Sequence, residues 1–181
     1  MLDYNTETRT ITTENLILRP FREEDAPAVT AELNDPEVVK TTHAMSYPFP
    51  EENVRRWIGG MSASWEKGSS YVFAVTGRET GEMYGFICLV TEPRDHRAEL
   101  GYAYGRSRWG KGIGTEACRA VIDFGFEVLG LHKIYARHFV SNPASGRVMQ
   151  KSGMEYEGTQ KSHDYKDGRY EDVASYGILH P

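Results

Sequence analysis

The sequence contains no apolar run near 18 residues, which is the length that a transmembrane helix needs. Residues 1–15, MLDYNTETRTITTEN, are polar and lack the apolar segment of a secretory signal peptide. No internal repeat, low-complexity tract or linker divides the chain. A sequence of 181 residues with these properties is expected to form one domain in the cytoplasm, with no membrane partner.

Cysteine is scarce as well. Cys88 and Cys118 are the two cysteines of the chain, and each lies in an apolar context. This pattern favours buried free thiols in a reducing compartment over a disulfide framework or a metal site. We therefore expect no bound metal.

Excess positive charge is missing from the chain as a whole, which has a formal net charge of −5. This argues against direct nucleic-acid binding. The distribution is uneven, because residues 100–154 hold eight Lys or Arg and three Asp or Glu, a balance of +5, so that the rest carries −10. A basic segment around a glycine-rich loop favours a small polyanionic ligand, and random clustering of surface charge is the alternative.

Apolar periodicity predicts alternating strands and helices. Strands are predicted at residues 16–21, 70–76, 83–91, 97–105 and 132–140, where short apolar runs lie between turn residues. Helical spacing predicts helices after Arg22, after Pro50, over residues 113–128 and after Asn142. Asp167-Gly168 between two strand-like runs predicts a closing hairpin. The expected fold class is α/β with a mixed central sheet flanked by helices.

Three phosphate-binding patterns overlap in GRSRWGKGIGTEA, residues 105–117. Residues 105–111 nearly form a P-loop, residues 112–117 match the G-x-G-x-x-A of a dinucleotide turn, and the stretch from Trp109 fits the pyrophosphate loop of acyl-coenzyme A enzymes. A P-loop requires Ser or Thr where this chain has Gly112. A dinucleotide site requires an acid on the next strand, but residues 128–154 contain none, and Arg137 offers only an NADP phosphate contact.

The acyl-coenzyme A reading requires only glycines and the N-terminus of a helix. Four segments, in order along the chain, resemble the GNAT superfamily of N-acetyltransferases. The segment LILRPFREEDA resembles the first strand and helix of the family. The segment AELGYAYGRSRWGKGIGTEA resembles its central strand and pyrophosphate loop. NPASGRVMQKSGM resembles its N-x-x-S-x-x-x-x-x-K-x-G segment, and RYEDVASYGIL the closing strand of the ribosomal-protein N-terminal acetyltransferase-like branch. The resemblance implies an acyl-CoA N-acyltransferase fold, with a single domain at residues 14–181 and an N-terminal extension at residues 1–13.

The resemblance also implies acetyl-CoA as co-substrate, held where two parallel strands, residues 99–105 and 133–140, splay apart. The residues that it assigns to cofactor binding are Tyr102, Ala103, Tyr104, Trp109, Gly110, Lys111, Gly112, Ile113, Gly114, Thr115, Asn142 and Arg147. Lys111 and nearby arginines are available for the 3′-phosphate of coenzyme A. Asn142 precedes a proline and is equally suited to cap the helix that follows.

Glu99 is the candidate general base, since the histone acetyltransferase branch carries its catalytic glutamate on this strand. The alternative is that Glu99 merely pairs with Arg97 or another cation. Ser145 is the candidate proton donor to the thiolate, because Met149 stands where many members carry a tyrosine. Further acidic or basic candidates lie near the hairpin, at His163, Asp164, Glu171 and Asp172.

The predicted function is acetyl transfer from acetyl-CoA to a primary amine, either a protein N-terminus, ribosomal proteins included, or a small amine. A coenzyme A-binding sensor without turnover is the alternative. The acidic remainder of the chain favours a cationic acceptor. A candidate lid is the loop that contains His43, Met45, Tyr47 and Phe49. The helical face with Trp57 and Trp65 is interpreted as part of the core. The chain is also predicted to form a homodimer.

Overall fold

A computed structural model describes residues 2–181. Across this range nine strands form one sheet, and five α-helices pack on its two faces. The strands are β1 (Asp3–Asn5), β2 (Thr10–Thr12), β3 (Leu16–Arg19), β4 (Ser70–Gly77), β5 (Met83–Glu92), β6 (Arg97–Tyr104), β7 (Lys133–Phe139), β8 (Glu155–Lys166) and β9 (Arg169–Leu179). The helices are α1 (Ala26–Leu33), α2 (Pro36–Val39), α3 (Glu51–Glu66), α4 (Ile113–Glu127) and α5 (Pro143–Lys151).

The sheet is mixed, with the strand order β1-β2-β3-β4-β5-β6-β7-β9-β8. Neighbouring strands are antiparallel everywhere in residues 2–181 except at β6 and β7, which run parallel. The crossover between these two strands contains α4, as a parallel connection requires. The α/β class with a mixed sheet, predicted from the sequence, is confirmed.

The closing hairpin joins β8 and β9 through the two residues predicted for its turn. Asp167 and Gly168 both have positive φ, of 48° and 86°. A two-residue turn with positive φ at both positions matches the right-handed twist of the strands that it connects. The Asp-Gly pair therefore sets the register that begins with Lys166 opposite Arg169.

Strands β1 and β2 and helix α2 were not predicted from the sequence. Ile11 of β2 pairs with Leu18 and is fully buried. The segment that was expected to be an N-terminal extension, residues 1–13, therefore contributes two strands to the sheet. The four-residue helix α2 begins after Asp35, whose carboxylate accepts a hydrogen bond of 2.8 Å from the Glu37 backbone N–H. These elements are too short for a periodic apolar pattern to reveal them.

Two clusters of buried side chains hold the layers together. One lies between the sheet and α4 and α5, and it includes Phe73 and Phe124. The other lies between the opposite face and α1 to α3, and Trp57 packs there against Phe86 at a ring distance of 4.9 Å. Trp65 contacts the first cluster through Phe73. Both tryptophans of α3 therefore pack against core side chains, in agreement with the interpretation of this helical face from the sequence. In residues 2–181 none of the helices has the length and apolarity needed to cross a membrane.

Candidate active site

Strands β6 and β7 are parallel neighbours for only part of their length. Their register runs from Arg97 opposite Lys133 to Glu99 opposite Tyr135. Both strands continue beyond this point, but within residues 2–181 they share no further pair. A cavity of about 440 Å³, lined by both strands, lies where they diverge. The strands therefore splay as predicted, and they leave one edge of β6 open to a ligand.

The glycine-rich loop connects the open end of β6 to helix α4. The indole N–H of Trp109 donates a 2.9 Å hydrogen bond to the Tyr104 carbonyl, which folds the loop back on the strand. Gly110 and Gly112 have φ of 73° and 82°, in the left-handed region that favours glycine. Helix α4 begins directly after Gly112. The unpaired N–H groups of its first turn and its dipole favour a negative charge at this part of the cavity wall.

Eleven of the twelve residues predicted to bind the cofactor line the cavity. They are Tyr102, Ala103, Tyr104, Trp109, Gly110, Gly112, Ile113, Gly114, Thr115, Asn142 and Arg147. Lys111 is the exception, since its side chain is exposed and does not line the cavity. Asn142 occupies the N-cap position of α5, but its side chain makes no capping hydrogen bond. Its amide is therefore free to meet a ligand, which favours the cofactor reading over the capping one.

The basic residues around the loop divide into anchored and accessible groups. Arg108 bonds to Glu32 at 3.0 Å and to Glu82 at 3.2 Å, and the Glu32 carboxylate raises the pKa of its guanidinium. Arg108 thus fastens the loop to α1. A second, open groove of about 590 Å³ shares Gly112, Thr115 and Lys151 with the cavity. Its basic side chains are Lys151 and Arg119, whose guanidinium donates to the Lys151 carbonyl. The groove also has acidic side chains, namely Asp3, Glu14, Glu116 and Asp123.

Ser145 and Tyr102 form a hydroxyl pair across the cavity wall. The Tyr102 hydroxyl lies 2.7 Å from the Ser145 Oγ and 3.2 Å from the Ser145 carbonyl. Burial raises the pKa of Tyr102, so its phenol stays protonated and can donate to the Ser145 Oγ. The Ser145 O–H can then point into the cavity. Met149, one turn further along α5, is almost fully buried and carries no exchangeable proton.

Glu99 lines the cavity on the face of the sheet that carries α1 to α3. Its two carboxylate oxygens accept hydrogen bonds of 2.9 and 3.2 Å from Arg137. Hydrogen bonding to Glu99 raises the pKa of Arg137, which stays charged. The ion-pairing alternative weighed for Glu99 is therefore present, with Arg137 as the partner, while Arg97 bonds to Glu92 instead.

His43 lies at the same end of the cavity, in the segment between α2 and α3. Its Nε2 contacts the Asp164 carboxylate of β8, and its ring packs on Phe139 at a centroid distance of 4.6 Å. Two residues further along β8, Lys166 donates to the Met45 carbonyl. The candidate lid is thus fastened to the β8–β9 hairpin at two points.

Among the other hairpin candidates, His163 is exposed on the strand face opposite to Asp164. Glu171 binds the Ser141 hydroxyl and Arg169, and Asp172 accepts from the Ser162 backbone. Sequence reasoning missed the contact between His43 and Asp164 and the role of the Tyr102 side chain. Alternation along β6 would have placed Glu99 and Tyr102 on opposite faces, but no local signal pairs a loop histidine with a distant strand.

Comparisons with known proteins agree on one family. A family model described as an acetyltransferase (GNAT) domain matches residues 15–155. The uncharacterized N-acetyltransferase p20 of Bacillus licheniformis is 31% identical over 172 residues, which cover 94% of this chain and 96% of the relative. The ribosomal-protein-serine acetyltransferase of Escherichia coli (strain K12) is 28% identical over 71% of this chain and 72% of the relative. The crystal structure of a GNAT-family acetyltransferase from Bacillus anthracis matches with a TM-score of 0.84 at 29% identity, over 94% of this chain and 98% of that chain.

Proposed function

Because this chain belongs to the GNAT acetyltransferase family, we propose that it moves an acetyl group from acetyl-CoA to the α-amino group of a protein or to a small primary amine, by direct attack in a ternary complex. The observation that carries this proposal is the cavity between the diverging ends of β6 and β7, which borders the N-terminus of α4. An extended acyl carrier with a diphosphate matches both parts of that site.

The residues around the cavity fit such a co-substrate. The open edge of β6 offers the backbone groups of Tyr102 and the backbone N–H of Tyr104 to an extended pantetheine arm, whereas the Ala103 backbone pairs with Phe86 of β5. The Asn142 side-chain amide, which makes no capping hydrogen bond, lines the same cavity. Gly112 lets the loop backbone approach a diphosphate closely, because an added Cβ there has open space around it. Arg119 and Lys151 line the groove that continues outward, and, like Lys111, they are exposed basic side chains available to the nucleotide phosphate.

The bonds that change define what the chain must supply. The amine nitrogen attacks the thioester carbonyl, the C–N bond forms, the C–S bond breaks, and one proton moves from nitrogen to sulfur overall. Acetyl-CoA supplies the acetyl group as an activated thioester. The open backbone N–H groups of β6 are suited to polarise the carbonyl. Ser145 is the proton donor to sulfur, and Tyr102 positions and supports its hydroxyl.

Replacing Ser145 by alanine is expected to lower kcat by about 100-fold, because a positioned proton donor contributes roughly 10²–10⁴-fold. Tyr102→Phe removes only the supporting hydroxyl and should lower kcat by about 10-fold. Because both hydroxyls act on one proton path, the double variant should be no slower than Ser145→Ala alone. Steady-state kinetics of all three proteins, followed by thiol release, measures this pattern.

Coenzyme A affinity is the control for that series, since neither substitution changes the backbone. We therefore expect the Kd for coenzyme A to change by less than about threefold in each variant. A change of this size is well under the 1.4 kcal/mol that corresponds to a tenfold effect on Kd. If the losses of kcat from the two single variants multiply in the double variant, the two hydroxyls do not share one proton path. An unchanged kcat in Ser145→Ala would remove Ser145 from the mechanism.

Ribosomal proteins are one proposed class of acceptor. The support is the similarity to an Escherichia coli relative named for acetylating a ribosomal-protein serine. An α-amino group has a pKa of about 7.7–8.0, so it loses its proton to a weak base far more readily than a lysine at about 10.4. The site therefore suits a peptide N-terminus better than a lysine side chain.

Calorimetric titration with coenzyme A, acetyl-CoA and NADPH tests the cofactor assignment. We expect micromolar binding of both coenzyme A compounds and no saturable binding of NADPH. Thiol release is then measured with hexapeptides that carry a free N-terminal alanine, serine or threonine, with Nα-acetyl-lysine amide and with spermidine. Binding of coenzyme A without turnover on any amine would favour the sensor alternative, and binding of NADPH alone would refute the proposed function.

A further inference from the structure

Glu99, the acid predicted to accept the proton of the amine, is engaged by another residue. Both of its oxygens accept hydrogen bonds from the Arg137 guanidinium, which lies on the neighbouring strand. A carboxylate in a bidentate pair with arginine must give up part of that pair before it can take a proton. A different group on the acceptor side of the cavity is better arranged for this step.

His43 has the arrangement of an oriented base. Its Nε2 lies against the Asp164 carboxylate, whose Oδ2 is buried and has no hydrogen-bond partner elsewhere in the described residues. This contact favours the tautomer with the hydrogen on Nε2 and the lone pair on Nδ1. His43 lines the cavity, and Nδ1 is the ring nitrogen that does not meet Asp164. Packing of its ring on Phe139 fixes the plane of the imidazole. A nucleophile or base that is held by a third, acidic group is the pattern expected of a proton acceptor.

The charges that face His43 come from three strands. Burial is the largest influence and lowers the pKa of His43, and Arg137 of β7 and Lys166 of β8 lower it further. Asp164 of β8 and Glu99 of β6 oppose this change. The net pKa lies below the ordinary value of about 6.5, so the imidazole is neutral at neutral pH and can accept a proton.

We propose that the His43–Asp164 pair receives the proton of the acceptor amine, with Nδ1 of His43 as the accepting atom and Asp164 as the positioning residue. This assignment rests on the proposed acetyl transfer. As the amine nitrogen forms its bond to the carbonyl carbon, its proton passes to Nδ1 and the resulting imidazolium is stabilised by Asp164. The thiolate leaves with the proton of Ser145. After the products depart, His43 releases its proton to solvent and Ser145 takes one back from solvent, so that overall one proton has moved from nitrogen to sulfur.

The test compares His43→Gln and Asp164→Asn with His163→Gln, a matched control on the exposed face of β8. The acceptor is whichever amine of the screen above gives the fastest thiol release. At pH 7, His43→Gln should lower kcat about 100-fold and Asp164→Asn about 10-fold, within the range of roughly 10²–10⁴ for a general base and less for its positioning partner. His163→Gln should remain within about twofold of wild type.

The pH profile separates a base from a merely structural residue. Wild-type kcat should fall as pH drops through the His43 pKa, below about 6.5. In His43→Gln this limb should vanish, and the rate should climb toward the wild-type value above about pH 9, where solution deprotonates the amine. Glu99→Gln should retain the acidic limb, because it leaves the imidazole in place.

NMR titration of the His43 ring gives a second readout that needs no acceptor. Its pKa should lie below the ordinary histidine value of about 6.5, and Asp164→Asn should lower it further because the Asp164 carboxylate raises the His43 pKa. A measured His43 pKa above 7 overturns the assignment, and so does a His43→Gln protein whose kcat equals that of wild type. If the acidic limb of the pH profile disappears in Glu99→Gln but remains in His43→Gln, the proton acceptor is Glu99. In each of these cases acetyl transfer by wild type stands, whereas a failure of the proposed function appears as wild-type protein without turnover.

Discussion

Phe124→Ala is expected to lower the free energy of unfolding by about 3–5 kcal/mol, which is the usual cost of deleting a fully buried aromatic ring. Phe124 of α4 is 1% exposed and meets four other rings edge-on or tilted. The ring centroids lie 5.1 Å away for Tyr4, 5.3 Å for Phe73, 5.7 Å for Tyr71 and 6.2 Å for Trp65. These rings belong to β1, β4 and α3, so one side chain connects α4 to three other elements. Urea unfolding followed by far-UV circular dichroism measures the change.

Two variants serve as controls for this result. Phe124→Leu keeps most of the volume and should cost about 1–2 kcal/mol, since the ring contacts are lost but the cavity is small. Tyr165→Ala removes an aromatic ring that is 67% exposed and should stay within about 0.5 kcal/mol of wild type. A loss under about 1.5 kcal/mol in Phe124→Ala would mean that the aromatic cluster does not hold α4 against the sheet.

Most of the fold follows from local patterns in the sequence. Long elements such as α3 and β5 have enough residues for their apolar period to stand out, and the Asp167-Gly168 turn requires a hairpin around it. The strands β1 and β2 have three residues each and gain their stability from partners elsewhere in the chain, such as Phe124, whose ring packs on Tyr4 of β1. Such elements exist because of tertiary contacts, which no window of neighbouring residues contains.

The loop that is proposed to hold the cofactor could be located from the sequence, whereas the residue pairs proposed for the acceptor side could not, for a physical reason. Gly110, Gly112 and the start of α4 at Ile113 lie in one continuous segment, so the proposed anion site is a property of that segment. The pairs Glu99–Arg137 and His43–Asp164 are assembled across the sheet from separate elements. Arg137 appeared in the sequence as a candidate phosphate ligand, whereas its position on β7 turns it toward Glu99.

An aspartate at Gly112 is expected to weaken coenzyme A binding by at least about 100-fold. The substitution puts a negative charge at the N-terminus of α4, where the free N–H groups and the helix dipole favour an anion. Two unit charges at about 5 Å repel by roughly 3 kcal/mol at an effective dielectric constant near 20, and 1.4 kcal/mol is a factor of ten in Kd. Isothermal titration calorimetry at about 50 mM salt, where screening is weak, measures the loss.

Gly112→Asn is the matched control, because it adds the same volume and tolerates the left-handed φ of 82° as aspartate does, without the charge. An added Cβ meets no atom within 4 Å, so neither variant clashes with the protein itself. The asparagine should weaken binding by less than about tenfold, and the gap between the two variants should shrink as salt rises. Dephospho-coenzyme A retains the diphosphate and lacks the 3′-phosphate, so the gap should persist with it. If the gap closes with dephospho-coenzyme A, the anion bound at α4 is the 3′-phosphate and the diphosphate lies elsewhere along the groove.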